Sequence, residues 1–322
     1  MWGFVGRVAI VVIVFAGLLF GIAQVKTPRH DRDWAPQFAR VASFDPNGEG
    51  AYVLQNLRAF DHRAGKPSLP SWDTIELDVA ELMEVWFFVE PFPVSDLFAH
   101  TFVSFVFEDD VGSRKTISIS VEARRENGEK YTPLAGLMRE FELSYVWSTE
   151  KDVATRIVVK QGRDLFAYPI VRPRETAVRV FEHFVEQTNA LAATPRFYDT
   201  VTSNCTNELF KAVNKAYPGS VPAGPAWLFT GLSASRLHAS GHLGDDDVPF
   251  SQIKADAAVD DFIREYARFT DEAFSAAWRQ SRDQRVSRRL PVQRQSASGD
   301  GAHAQAHAHR ARNSASGTAD NA

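Results

Sequence analysis

Eighteen consecutive residues, Val8 to Val25 (VAIVVIVFAGLLFGIAQV), carry no charge. That is close to the ~20 apolar residues needed to cross a bilayer's hydrocarbon core, so the rest of the chain is expected to be tethered to a membrane or delivered across one. Arg7 precedes the run, and Lys26, Arg29 and Arg32 follow it. Gly21-Ile22-Ala23 offers small residues of the kind found at signal-peptide cleavage sites. The run is longer than a usual signal core, however, and one transmembrane anchor over 8–25 is the expectation. Basic residues on both flanks leave its orientation open.

Behind a flank of residues 1–7 and this anchor, residues 34–248 read as one mixed α+β domain. Ala51 to Phe60 is strand-like, and Asp78 to Val85 resembles a short helix. Two strands, Thr101–Phe107 and Thr116–Val121, flank Asp109-Asp-Val-Gly-Ser113, a hairpin signal. Further strands are expected at Glu140–Trp147 and Thr155–Lys160. Helices are expected over Arg174–Ala193 and from about Asn204 to Ala216, the second stopped by Pro218-Gly219. Within 256–287, Val259, Phe262, Ile263, Tyr266, Phe274 and Trp278 recur at helical spacing, which predicts an amphipathic C-terminal helix packed on the domain. Residues 290–322 hold almost no large apolar side chains and are expected to be a disordered tail.

Charge and cysteine content narrow the function. With 36 basic against 40 acidic residues the formal net charge is −4, and no basic, aromatic-interleaved patch points to nucleic acid. No cofactor motif is present. His238 and His242 have i, i+4 spacing, but Ser240-Gly241 interrupts the helix that would align them, so no metal site is expected. The chain has one cysteine, which excludes an internal disulfide framework. A thiol kept in an oxidising compartment needs a reason, either burial or chemistry.

Position argues for chemistry. In Thr202-Ser-Asn-Cys-Thr-Asn-Glu-Leu-Phe210, cap-forming residues lead into a helical pattern, so Cys205 falls in the first turn. Unpaired N–H groups and the positive end of the helix dipole favour a thiolate there. Those N–H groups, with Asn204, are candidates to hold an oxyanion. Of nine histidines, His100 stands out as the candidate base, because a Pro-containing loop from Pro91 to Ala99 feeds it into a strongly apolar strand. Alternation along the hairpin puts Ser118, Ser120 and Glu122 on one face and Ile117, Ile119 and Val121 on the other. A turn centred on Val111 places Glu122 opposite or near His100, as the group that orients the imidazole, with Ser120 the next candidate.

Asn56-Leu-Arg-Ala-Phe60, His100-Thr-Phe-Val-Ser-Phe-Val-Phe107, Ile117-Ser-Ile-Ser-Val-Glu-Ala-Arg-Arg-Glu126 and Phe197-Tyr-Asp-Thr-Val-Thr-Ser-Asn-Cys-Thr206 occur in this order. Together they resemble the periplasmic domain of the Lnb family, lipoprotein N-acylating transacylases, over roughly Trp34 to Gly224. The His-then-Cys order also resembles circularly permuted, NlpC-type members of the papain-like superfamily. The resemblance implies a papain-like domain in which a small antiparallel sheet packs on the cysteine helix. It implies a single-pass inner-membrane protein whose catalytic domain faces the periplasm. It also implies Cys205 as nucleophile, His100 as base, and lipoprotein and phospholipid as substrates. Val106 stands where the family usually has Gly, and Asn207 where it has a second Thr. Trp86, Phe87, Phe88, Phe92, Leu97 and Phe98, ahead of His100, would line an acyl groove. Two rivals stay open: an amidase or peptidase acting on cell-wall peptides with the same two residues, and a non-catalytic envelope module in which Cys205 is structural.

Overall fold

A computed structural model describes residues 23–244 and 247–288, with scattered positions between 5 and 21. Eight strands form one mixed sheet: β1 (Ser43–Pro46), β2 (Ala51–Arg58), β3 (Trp72–Asp78), β4 (Leu82–Phe92), β5 (Ser95–Glu108), β6 (Arg114–Arg124), β7 (Glu142–Thr149) and β8 (Phe166–Pro169). Their order is β1-β2-β7-β6-β5-β4-β8, with β3 also paired to β2. Neighbours are antiparallel except β2 and β7, which meet in parallel at Arg58↔Ser148. Helices are α1 (Pro133–Leu137), α2 (Glu150–Thr155), α3 (Arg174–Ala193), α4 (Cys205–Ala216), α5 (Ser233–Ala239), α6 (Phe250–Ala257) and α7 (Asp260–Tyr266), followed by helical residues 271–288.

The central strands are buried on both faces, which is why β4 reads as a continuous apolar run rather than an alternation. Phe87, Val103, Phe105 and Ile119 face α3 and α4, meeting Phe181, Phe184, Leu209 and Phe210. Trp86, Phe88, Phe102 and Val106 face the other way, against Val153, Ile157, Ile263, Phe274 and Trp278. This second layer is pinned by a buried pair: Arg279 bonds Glu150 Oε2 at 2.5 Å, and Trp278 Nε1 donates to Glu150 Oε1 at 2.7 Å.

The α+β class holds, but the expected architecture needs correction. The sheet has eight strands and is mixed, not small and antiparallel. Among the described residues no helix is long and apolar enough to cross a membrane. Half of the run expected to do so, 8–25, lies outside the described residues. The tail expected over 290–322 lies wholly outside them.

Local readings also shift. Of the helix expected at Asp78–Val85 only a 3-10 turn forms, Val79–Glu81, capped by Asp78 accepting from Ala80 N at 2.7 Å; β4 then begins at Leu82. Thr155–Lys160, β-branched and read as a strand, continues α2 as a π-helical turn that buries Ile157 and Val158. The single C-terminal helix expected over 256–287 is broken between Tyr266 and residue 271.

Candidate active site

The β5–β6 hairpin pairs Phe102 with Ser120 and Ser104 with Ser118, so its register is centred on Val111. Two residues further the same register would set His100 against Glu122, but the ladder ends at Phe102↔Ser120. Beyond that point β5 pairs only with β4, through Glu90↔His100, and β6 with β7, through Glu122↔Ser144. His100 is five residues inside β5, not at its edge, because the strand already begins at Ser95.

Both candidate orienters reach the imidazole. Ser120 Oγ donates to Glu122 Oε1 at 2.8 Å and lies 2.8 Å from His100 Nε2. With its proton committed to the carboxylate, the hydroxyl accepts from Nε2–H. Glu122 Oε1 is also 3.4 Å from Nε2 directly, and Arg156 approaches the same oxygen at 3.5 Å.

Cys205 opens α4. Asp199 prepares the turn before it: its Oδ1 accepts from Val201 N, Thr202 N and the Thr202 hydroxyl. Asn204 is the N-cap, accepting from Asn207 N at 2.8 Å. Its amide nitrogen donates to Thr200 O at 2.9 Å and Trp227 O at 3.3 Å, so the side chain expected to help an oxyanion is instead turned to the cap and the neighbouring loops. One turn on, Glu208 takes hydrogen bonds from Ser203 Oγ, Tyr145 OH, Arg196 and Lys211 at 2.6–2.8 Å, tying α4 to β7. Burial raises the Glu208 pKa, but Arg196, Lys211 and the two hydroxyls prevail and hold it at about 2.

The thiol is buried, with Ala99 O at 3.9 Å and Thr206 Oγ1 at 4.0 Å. Thr230 fixes that stretch of β5, its hydroxyl accepting from Ala99 N at 2.8 Å and donating to Ala99 O at 2.7 Å. The next residue must be Gly231, because a Cβ there would lie 2.0 Å from Asp96 O.

Electrostatics join the three groups. Burial pushes the His100 pKa down, but Glu122, hydrogen bonding with Cys205 and Glu122, and the Cys205 charge together raise it to about 10. Burial pushes Glu122 up, but His100, Arg156 and Ser120 hold it well below the carboxylate range. Burial likewise raises Cys205, and the His100 hydrogen bond and charge, with Thr101, lower it below its ordinary value. The arrangement therefore favours a thiolate–imidazolium pair.

Three further side chains at the site were not anticipated. Thr101 bonds Thr206 Oγ1 at 3.0 Å and helps to lower the thiol's pKa. Tyr198 is buried; desolvation, then the Cys205 charge and Tyr131, raise its phenol. Tyr198 stood within a quoted motif but had no assigned role. Arg156 lies on the segment misread as a strand. The six side chains expected to line one acyl groove do not share one: Trp86, Phe87 and Phe88 are buried, and only Leu97 and Phe98 are exposed, at 45% and 41%. Among the described residues no three His, Cys, Asp or Glu side chains converge as metal ligands. His238 and His242 bond separately, to Leu243 O and Ser220 Oγ.

A family model described as the Lnb N-terminal periplasmic domain matches residues 68–228, which is 161 of the 322. His100, Glu122 and Cys205 all lie inside it. No curated protein and no solved structure matches the chain, and the family match carries no tie to the papain-like enzymes.

Proposed function

The chain belongs to the family of the Lnb N-terminal periplasmic domain, and from that premise we propose that it is a cysteine-dependent acyltransferase that N-acylates lipoproteins through a thioester on Cys205. The observation that carries this reading is the buried Cys205 thiol at the start of α4, beside Ala99 O of the strand that carries His100, with Ser120 and Glu122 behind the imidazole.

Since Nε2 faces Ser120 and Glu122, Nδ1 is the ring nitrogen left for the thiol. The Cys205 thiolate attacks the carbonyl carbon of a lipid ester. The C–O bond breaks, the leaving alkoxide takes a proton from the imidazolium, and a thioester remains. The terminal amine of a lipoprotein then attacks the thioester. A C–N bond forms, the C–S bond breaks, and the amine proton passes to His100. Of the first helical N–H groups, that of Asn207 is met by the Asn204 side chain and that of Glu208 by Asn204 O. This leaves Cys205 N–H and Thr206 N–H as the oxyanion donors. Glu122 and Ser120 act as positioning residues that keep the imidazole charged and oriented. Exposed Leu97 and Phe98 at the start of β5, with exposed Leu228 and Leu232, suit a lipid substrate over a polar peptide.

The test is reconstitution with a diacylated lipoprotein and a phospholipid donor. Wild-type protein is expected to yield N-acylated product and to gain acyl mass on Cys205, and Cys205→Ser to do neither. Cleavage of cell-wall peptides without any acyl mass would replace this reading with the amidase.

A further inference from the structure

On the α3–α4 face of the sheet a cleft of about 390 Å³ lies between β4, β5 and the segment after β8 on one side and α3, α4 and α5 on the other. Its depth is apolar, lined by Phe87, Val103, Val180, Phe184, Leu209 and Phe210. An engineered apolar cavity of ~150 Å³ stays dry and accepts benzene, and by that ratio this cleft has room for about fifteen carbon atoms. Neither Cys205 nor His100 lines it, although Leu209, on its wall, is one helical turn beyond Cys205.

The mouth is different in character. Arg172 and Arg174 stand there, both exposed. Arg172 donates to Ser240 O, and Arg174 to the carbonyls of Val79, Ala80 and Leu82. These partners are neutral, so the two guanidinium groups are held in place, and among the described residues neither forms an ion pair with a carboxylate. Glu84, also on the lining, is turned to Trp86 Nε1 at 2.8 Å and to Arg114 at 3.7 Å. His242 adds no positive charge near neutral pH, since burial and Arg172 lower its pKa to about 4. An apolar cleft with two exposed arginines on its lining matches one class of molecule on both counts.

We propose that this cleft binds one acyl chain of an anionic amphiphile, the chain lying between the sheet and α3–α4 and its carboxylate or phosphate head resting on Arg172 and Arg174. The site is independent of whether Cys205 transfers acyl groups.

The experiment uses the full chain in phosphatidylcholine vesicles and palmitate carrying a diazirine near its methyl end. After irradiation, labelled peptides are mapped by mass spectrometry. Labelling is expected on residues 177–184 and 209–213, to fall at least tenfold in Ala177→Trp, to fall severalfold in Arg172→Glu, and to persist in Cys205→Ser. Val213→Trp blocks the cleft from the other wall, and circular dichroism confirms that each variant is folded. Phosphatidylglycerol with the same diazirine chain separates the sources: labelling of the same peptides assigns the chain to bilayer lipid, and labelling by palmitate alone assigns it to free fatty acid. Labelling that survives both tryptophan substitutions in folded protein would overturn the site. Equal labelling by the uncharged alcohol would overturn the role of the arginines.

Discussion

Replacing Glu122 by Gln tests the electrostatic core of the site. The carboxylate stands 3.4 Å from His100 Nε2 and both side chains are largely buried. At an effective dielectric of ~20 a charge pair at that distance interacts by roughly 5 kcal/mol, or about 3–4 pKa units at ~1.4 kcal/mol each. From about 10 the His100 pKa should therefore fall to near or below neutrality. Arg156, left 3.5 Å from the new amide, pushes in the same direction. Cys205 then loses its cationic partner, and its pKa rises. The assay is the rate of iodoacetamide alkylation from pH 5 to 10, read on the protein's single thiol. In wild type the thiolate limb should lie below the ordinary cysteine range; in Glu122→Gln it should move up by at least about one unit, slowing the reaction at pH 7 by roughly tenfold or more. Stability gives a second readout. The raised His100 contributes fully below its ordinary 6.5 and loses that contribution as pH rises through about 10. The depressed Glu122 contributes fully above its ordinary 4.5 and loses it as pH falls. The melting-temperature gap between wild type and variant should thus be widest between these two values and narrow toward pH 10. Superimposable alkylation profiles in folded proteins would refute the coupling.

Other perturbations separate roles within the site and the fold. Ser120→Ala keeps the direct 3.4 Å contact but removes the bridging hydroxyl; acyl transfer should fall tenfold to a hundredfold, matching the ~1.5–3 kcal/mol of a hydrogen bond to a charged group. Asn204→Ala removes the cap on Asn207 N and should cost about 1 kcal/mol in urea denaturation, with Asn204→Ser recovering most of it. A hundredfold loss of turnover that serine does not rescue would give Asn204 an oxyanion role instead. Arg279→Met leaves the Glu150 charge buried without its cation, held only by Trp278 Nε1; chemical denaturation should show a loss of about 3–5 kcal/mol, partly restored by adding Glu150→Gln.

What the sequence determined by itself is local in origin. Cap-forming Thr202 to Asn204 before a 3.6-residue pattern set the start of α4, and with it the place of Cys205. Strict alternation through Ile117–Glu122 and a turn at Val111 set the hairpin register, because a slip of one residue would send an apolar face out of the core. What failed is local structure decided by burial from both sides. The run Val85–Val89 has no diagnostic period because β4 is covered on each face, and β-branched Ile157 and Val158 are helical because a helix launched from the Thr149 cap carries them into the second layer. The electrostatics of the site belong wholly to the tertiary structure. Arg156 reaches Glu122 across 34 residues of chain and Thr230 reaches Ala99 across 131, and no periodicity encodes such distances. Nor does spacing reveal whether a thiol is desolvated, which depends on what packs over it. Sequence could therefore propose the nucleophile and its base, while only the packed sheet, helices and loops decide that the Cys205 thiol is buried and that Ser120 and Glu122 stand behind His100.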